Sequence, residues 1–272
     1  MKRWFKRNVE LALWILLFAV TLMLQGGAIA RTPAIDYNKR GATKQTKGDF
    51  DCTIADYTRA LELNPKSATA YYNRGLAKQA KGDFDGAIVD YTRALQLNPK
   101  DVEAFNVRGV VEHAKGENDK AVADYNHALE LNPKYAAAYD NRGIAKDAKG
   151  DHDGAMVDFD RAIELDPKHA TTYYNRGVAK KDKGDLDGAI ADFDRVLQFD
   201  PNSADTYNNR GLAKQTKGDL DSAFADYTRA LQLNPKSATT YYNRSVAKRA
   251  KGDLDGSNAD YSRSLELNRS ER

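Results

Sequence analysis

Small and aromatic residues recur along this chain with a period of 34 residues. With Ala34 as position 1 of the first repeat, position 24 is aromatic every time: Tyr57, Tyr91, Tyr125, Phe159, Phe193, Tyr227 and Tyr261. Position 8 reads Gly41, Gly75, Gly109, Gly143, Gly177, Gly211 and then Ser245; position 20 reads Thr53, Ala87, Ala121, Ala155, Ala189, Ala223 and Ser257. Each period is punctuated twice. A Lys-Gly pair such as Lys81-Gly82 closes one helical stretch, because Gly takes the left-handed conformation that ends a helix. Asp83 and its equivalents then cap the next helix by accepting bonds from its free N–H groups. Proline at position 32 (Pro65, Pro99, Pro133, Pro167, Pro201, Pro235, with Arg269 in the last repeat) stops that second helix. The spacing predicts an all-α chain of about fourteen antiparallel helices, two in each of the repeats 34–67, 68–101, 102–135, 136–169, 170–203, 204–237 and 238–271. Small residues at positions 8 and 20 let the paired helices approach, and aromatics at positions 4 and 24 fill the space between. No pair buries its apolar face alone, so the pairs must stack.

Residues 1–30 are a different kind of sequence. A basic "MKRWFKR" precedes the apolar run Leu11 to Leu24, and "QGGAIA" ends on a small residue. That order predicts a secretory signal peptide cleaved after Ala30, and with it export to a bacterial periplasm. The apolar run is shorter than the roughly 20 residues a bilayer span needs. The alternative is an uncleaved inner-membrane anchor over residues 11–30, which would make the membrane a partner. No Cys follows the run to carry a lipid.

Charge narrows the partners. The leader holds Lys2, Arg3, Lys6 and Arg7 against Glu10, a net of +3, which is the whole formal charge of the chain. The repeats are therefore formally neutral, with signs that alternate along each helix. Nucleic-acid binding needs clustered, unneutralised cations, so no nucleic-acid partner is expected.

Candidate chemistry is sparse. Cys52 is the single cysteine, so no internal disulfide forms. His113, His127, His152 and His169 lack the spacing of metal ligands. The glycines recur at helix ends and form no phosphate-cradling loop. These features predict no catalytic residue, no metal, no cofactor and no small-molecule substrate. Arg at position 7 (Arg40, Arg74, Arg108, Arg142, Arg176, Arg210, Arg244) and Asp at position 23 (Asp56, Asp90, Asp124, Asp158, Asp192, Asp226, Asp260) are present in every repeat. They predict a structural interhelical bridge, each worth about 0–1 kcal/mol if exposed.

The period and the small-residue positions resemble the tetratricopeptide repeat (TPR) family, over the whole chain after the leader. The resemblance implies a right-handed superhelix that binds protein or peptide without catalysis. It also implies that the first helices line its concave groove through positions 2, 5, 6, 9, 12 and 13. Position 6 reads Lys39, Asn73, Val107, Asn141, Asn175, Asn209 and Asn243, similar to the asparagine ladder of O-GlcNAc transferases. Such amides can bond an extended backbone, and Tyr72, Tyr174 and Tyr242 at position 5 add contact area. The lysine and asparagine that grip a C-terminal carboxylate in chaperone-adaptor TPR domains are missing from positions 5 and 9. Two departures stand out. Gly86, Gly154, Gly188 and Gly256 at position 19 predict second helices that fray readily, and Ser245, Ser257, Asn258 and Ser264 predict a last repeat that caps itself with a polar face. Repeat three, with Val107, Glu112, His113, Asn118, Lys120 and His127, is the outlier. The alternative function is a membrane-tethered scaffold that assembles through its convex face or its ends.

Overall fold

The computed structural model describes residues 33–270, all of whose regular structure is helical. The leader lies outside the described residues. The chain divides into two compact units. The first contains α1 (Pro33–Thr46), α2 (Phe50–Leu63), α3 (Ala68–Lys81), α4 (Phe84–Leu97), α5 (Val102–Ala114) and α6 (Asn118–Leu131). The second contains α7 (Ala136–Ala148), α8 (His152–Leu165), α9 (Ala170–Asp182), α10 (Leu186–Phe199), α11 (Ala204–Thr216), α12 (Leu220–Leu233), α13 (Ala238–Ala250) and α14 (Leu254–Ser270). In both, each helix packs on the next, and the tightest pairing is within a repeat.

The ends of the helices follow from the punctuation. Gly82 closes α3 at φ 89°, and the Asp83 N–H reaches back to the Lys78 carbonyl at 2.9 Å. Asp83 then accepts from the Gly86 N–H at 3.0 Å and starts α4. Asp49, Asp151, Asp185, Asp219 and Asp253 do the same for their helices. Glu117 is the exception: its longer side chain makes no capping bond to α6. The second helices with Gly86, Gly154 and Gly188 at position 19 span fourteen residues, as do those with Cys52 or Ser222 there, and the one with Gly256 spans seventeen.

The core is one contact repeated. A methyl placed on Gly75 would come within 2.6 Å of the Tyr91 ring, so the ring lies directly on bare backbone. The aromatics at position 24 are 0–1 % exposed from Tyr57 through Tyr227, with Ala87, Ala121, Ala155, Ala189 and Ala223 buried beside them. Burying rings of this size is the main apolar contribution of each repeat, about 2–3 kcal/mol apiece.

The last repeat departs from the expected polar face. Ser257 and Ser264 are buried, whereas Tyr242, Val246, Leu254, Tyr261 and Leu265 are exposed. Those apolar positions are the counterparts of Tyr72, Leu76, Phe84, Tyr91 and Leu95, which repeat two covers wholly or partly. The serines replace small residues at the helix contact, so they change the inside of the repeat more than its surface.

Candidate functional site

Two side-chain networks run along the helices. The first is centred on the arginines of the first helices. Arg74 Nε and Nη2 donate to the two carboxylate oxygens of Asp90 at 2.8 and 2.7 Å. The same two-pronged contact joins Arg40–Asp56, Arg108–Asp124, Arg142–Asp158, Arg176–Asp192, Arg210–Asp226 and Arg244–Asp260. The interhelical bridge is therefore present in every repeat, but its carboxylates are buried. Apart from Arg40, which is exposed, the arginines are also largely covered, so those pairs are protected from solvent and depend on good geometry to offset desolvation.

A third member was not anticipated. Lys78 Nζ lies 2.8 Å from the second oxygen of Asp90. Lys44, Lys146, Lys180, Lys214 and Lys248 hold the same place in their repeats. The arginines also stack 4.7–5.8 Å above the aromatic at position 4, Tyr37 through Tyr241. The remaining nitrogen of Arg74, Arg108, Arg176, Arg210 and Arg244 reaches the preceding repeat, as Arg108 to Thr92 at 3.0 Å and Arg210 to Asp194 at 2.5 Å. One guanidinium thus ties its own two helices together and holds the repeat before it. The network is structural.

In repeat three the lysine is replaced by Glu112. Its carboxyl is buried beside Asp124, and Oε2 has no hydrogen-bond partner. Burial, then the Asp124 charge, pushes its pKa up to about 7, against the pull of Arg108 and Lys120.

The second network involves the asparagines at position 6. Asn175 Nδ2 donates to both oxygens of Asp140 on the preceding first helix, at 3.2 and 3.3 Å. Asn209 Nδ2 donates to the Tyr174 hydroxyl at 2.9 Å and to the Asp205 carbonyl at 3.0 Å. Asn243 Nδ2 donates to Asn208 Oδ1 at 3.0 Å. The row exists, yet each of these three amides already donates to position 5 of the repeat before. Asn73 lies beside the Tyr57 hydroxyl, and Asn141 is half-buried on α7. The expected tyrosines are partly core: Tyr72 tilts onto Tyr91 at 5.8 Å, Tyr174 onto Phe193 at 6.0 Å and Tyr242 onto Tyr261 at 6.3 Å. Tyr242 is 50 % exposed and so the most available of the three. Burial, and then the Asp205 charge, pushes the Tyr174 hydroxyl up to about 12. It stays protonated at any physiological pH.

Among the described residues, no group of three His, Cys, Asp or Glu side chains is placed to hold a metal. The histidines engage local partners, His113 with Asn118 and His152 with Asp147, each at 2.7 Å. No helix of the described residues is long and apolar enough to cross a membrane.

Tandem helical hairpins joined by a small-residue contact define an all-α repeat solenoid. The profile described as "Tetratricopeptide repeat" matches residues 68–101 and 204–237, and that described as "TPR repeat" matches 46–82, 109–146, 148–183 and 179–218. The chain belongs to the tetratricopeptide repeat family. Among solved structures it is similar to MamA, at 30 % identity and TM-score 0.55 over 60 % of this chain and 96 % of that one. A tetratricopeptide repeat protein from Parabacteroides merdae matches at 22 % identity and TM-score 0.71, over 86 % of this chain and 93 % of that one. YrrB, described as "a TPR protein with an unusual peptide-binding site", matches at 23 % identity and TM-score 0.55 over 68 % of this chain and 95 % of that one. The last two likenesses concern the fold. Among curated proteins, none matches the chain significantly.

Proposed function

We propose that this chain is a non-catalytic binding module that holds an extended segment of a protein partner along the first helices of its repeats. The observation that carries this reading is the asparagine row. The side-chain oxygens of Asn175, Asn209 and Asn243 accept no bond and are not buried, so a regular series of polar groups faces outward with capacity left. Within the second unit Tyr174 and Tyr242 flank that row and Asn141 precedes it; Tyr72 and Asn73 hold the corresponding positions on α3 of the first unit. The leader over residues 1–30 exports the protein to the bacterial periplasm, where the partner is met.

The test is a paired capture from a periplasmic extract. The baits are the mature protein and a variant with Asn73, Asn141, Asn175 and Asn209 changed to Ala, both shown helical by circular dichroism. A partner retained by the first and lost by the second supports the groove. Equal retention rejects it.

A second reading has one observation in its favour. The exposed Tyr242, Val246, Leu254, Tyr261 and Leu265 of the last repeat offer an apolar surface for a scaffold that assembles through its ends. In that reading the leader stays uncleaved as a membrane tether. N-terminal sequencing of the mature protein separates the two, since a chain that starts at Arg31 has no tether.

A further inference from the structure

We infer that the asparagine row of the second unit is an acceptor surface, and that it selects an extended segment bearing lysine or arginine side chains. This rests on the reading of the first helices as the partner-holding surface and specifies the chemistry of that partner.

The polarity of the row is fixed by what the amides already touch. A carboxylate without its proton only accepts, so Asn175 must turn its NH2 toward Asp140 and its oxygen away. A main-chain carbonyl also only accepts, so Asn209 must turn its NH2 toward the Asp205 oxygen. Its second N–H goes to the Tyr174 hydroxyl, which leaves Asn209 no donor to offer. What remains toward solvent on Asn175 and Asn209 is carbonyl oxygen, while Asn243 presents its oxygen beside one remaining N–H. An amide free to rotate could bond a partner's N–H or its C=O equally well. Asn175 and Asn209 are held, and what they offer is an acceptor.

Charge adds to that preference. Asp205 is exposed in the first turn of α11, one helical turn before Asn209, and so on the same face. Its carboxylate makes no ion pair among the described residues. It lies close enough to the Tyr174 hydroxyl to hold that proton more tightly. The Tyr174 oxygen, the Asn209 oxygen and the Asp205 carboxylate are therefore neighbours across α9 and α11. Lys181, a cation of α9, is occupied by Asp182. An ammonium or guanidinium group brings only donors and a positive charge, which suits the Asn209 oxygen and the Asp205 carboxylate. A segment with glutamate or aspartate there would meet the Asp205 charge and the Asn209 oxygen, with the Tyr174 O–H as its one donor.

The experiment uses the full chain and three labelled probes read by fluorescence anisotropy. The probes are a short glycine–serine peptide with lysine at alternate positions, its glutamine counterpart and its glutamate counterpart. The lysine peptide is expected to bind about tenfold tighter than the glutamine peptide, with the glutamate peptide weakest. Asp205→Lys should reverse the order of the two charged peptides. Asn209→Leu should weaken the lysine peptide about tenfold, with helix content unchanged by circular dichroism. Asp205→Asn, which keeps the shape of the side chain, should remove only the charge preference.

If the three peptides bind alike, the acceptor reading is overturned while the groove itself stands. If lysine-peptide binding survives both Asp205→Lys and Asn209→Leu, the peptide sits elsewhere and the inference also fails. If no peptide binds, the inference falls together with the proposed groove.

Discussion

Repeats two and three carry the same arginine–aspartate fork and differ in the side chain set against it. In repeat two, Asp90 is bonded on one side by Arg74 and on the other by Lys78. In repeat three, Asp124 has Arg108, and the lysine's place is taken by Glu112 with an unbonded buried oxygen. One site carries two cations around one anion; the other carries two carboxyls around one cation. The backbone is the same in both, since α3 with α4 and α5 with α6 have matching contacts and helix lengths within one residue. The comparison teaches that the fold requires the fork but only favours the lysine. A repeat can lose the third charge and keep its shape, provided the carboxyl that replaces it can hold a proton.

The largest expected effect comes from breaking the better site. Asp90→Asn would leave two buried or half-buried cations without their anion and should cost about 3 kcal/mol, read as a shift in urea denaturation. Asp124→Asn should cost about half as much, because Glu112 is placed to take over Arg108 once its neighbour is neutral. Equal losses would mean that Glu112 has no part in the balance of repeat three.

Next in size is the repair of repeat three. Glu112→Lys restores the arrangement seen in the other repeats and removes an unsatisfied buried oxygen, so it should stabilise the protein by about 2 kcal/mol. The same residue predicts a pH dependence of defined sign. Its pKa is raised in the folded state, to about 7 from 4.5. Between those values the folded chain holds a proton that the unfolded chain has released, so stability falls as pH rises through that window. Above about 7 the loss levels off. The fall should reach about 2–3 kcal/mol between pH 5 and pH 8, and Glu112→Gln should flatten it. A wild-type profile that rises or stays level across that range would count against a protonated Glu112.

Much of this architecture could be read from residue spacing. The contact of Gly75 with Tyr91 was legible because both positions recur in step, and close helix approach is the common reason for a small residue facing a large one. The Arg74–Asp90 bridge was legible for the same reason. Its burial was not, because the distance of position 23 from solvent depends on how successive repeats stack. Lys78 was missed although it recurs in all repeats but one; on a helix rich in charge it looked like one more solvated cation. The asparagine row was found, but the sense of its bonds was hidden. Asn209 meets Tyr174 across thirty-five residues, and one sequence carries no sign that an amide is already occupied. The polar substitutions of the last repeat pointed to a covered end, whereas packing puts Ser257 and Ser264 inside and leaves Tyr261 out.

The smallest effect sharpens the comparison at the start of α6. Every other second helix of the described residues that has an assigned cap begins with an aspartate that accepts from the third residue's N–H. Glu117 instead turns to Lys115 at 2.9 Å and Lys120 at 2.8 Å, and those two cations hold its carboxyl at about 2. Its extra methylene carries the carboxylate past the free N–H groups, so repeat three exchanges a cap for two solvent-exposed ion pairs. Glu117→Asp shortens the side chain by that methylene and should return the cap. Amide exchange at Lys120 should then slow by less than about tenfold, with α5 unaffected. The two ion pairs would be weakened, so the salt dependence of that local exchange should shrink as well. Unchanged exchange at Lys120 would show that the backbone entering α6, and not the length of residue 117, keeps the cap from forming.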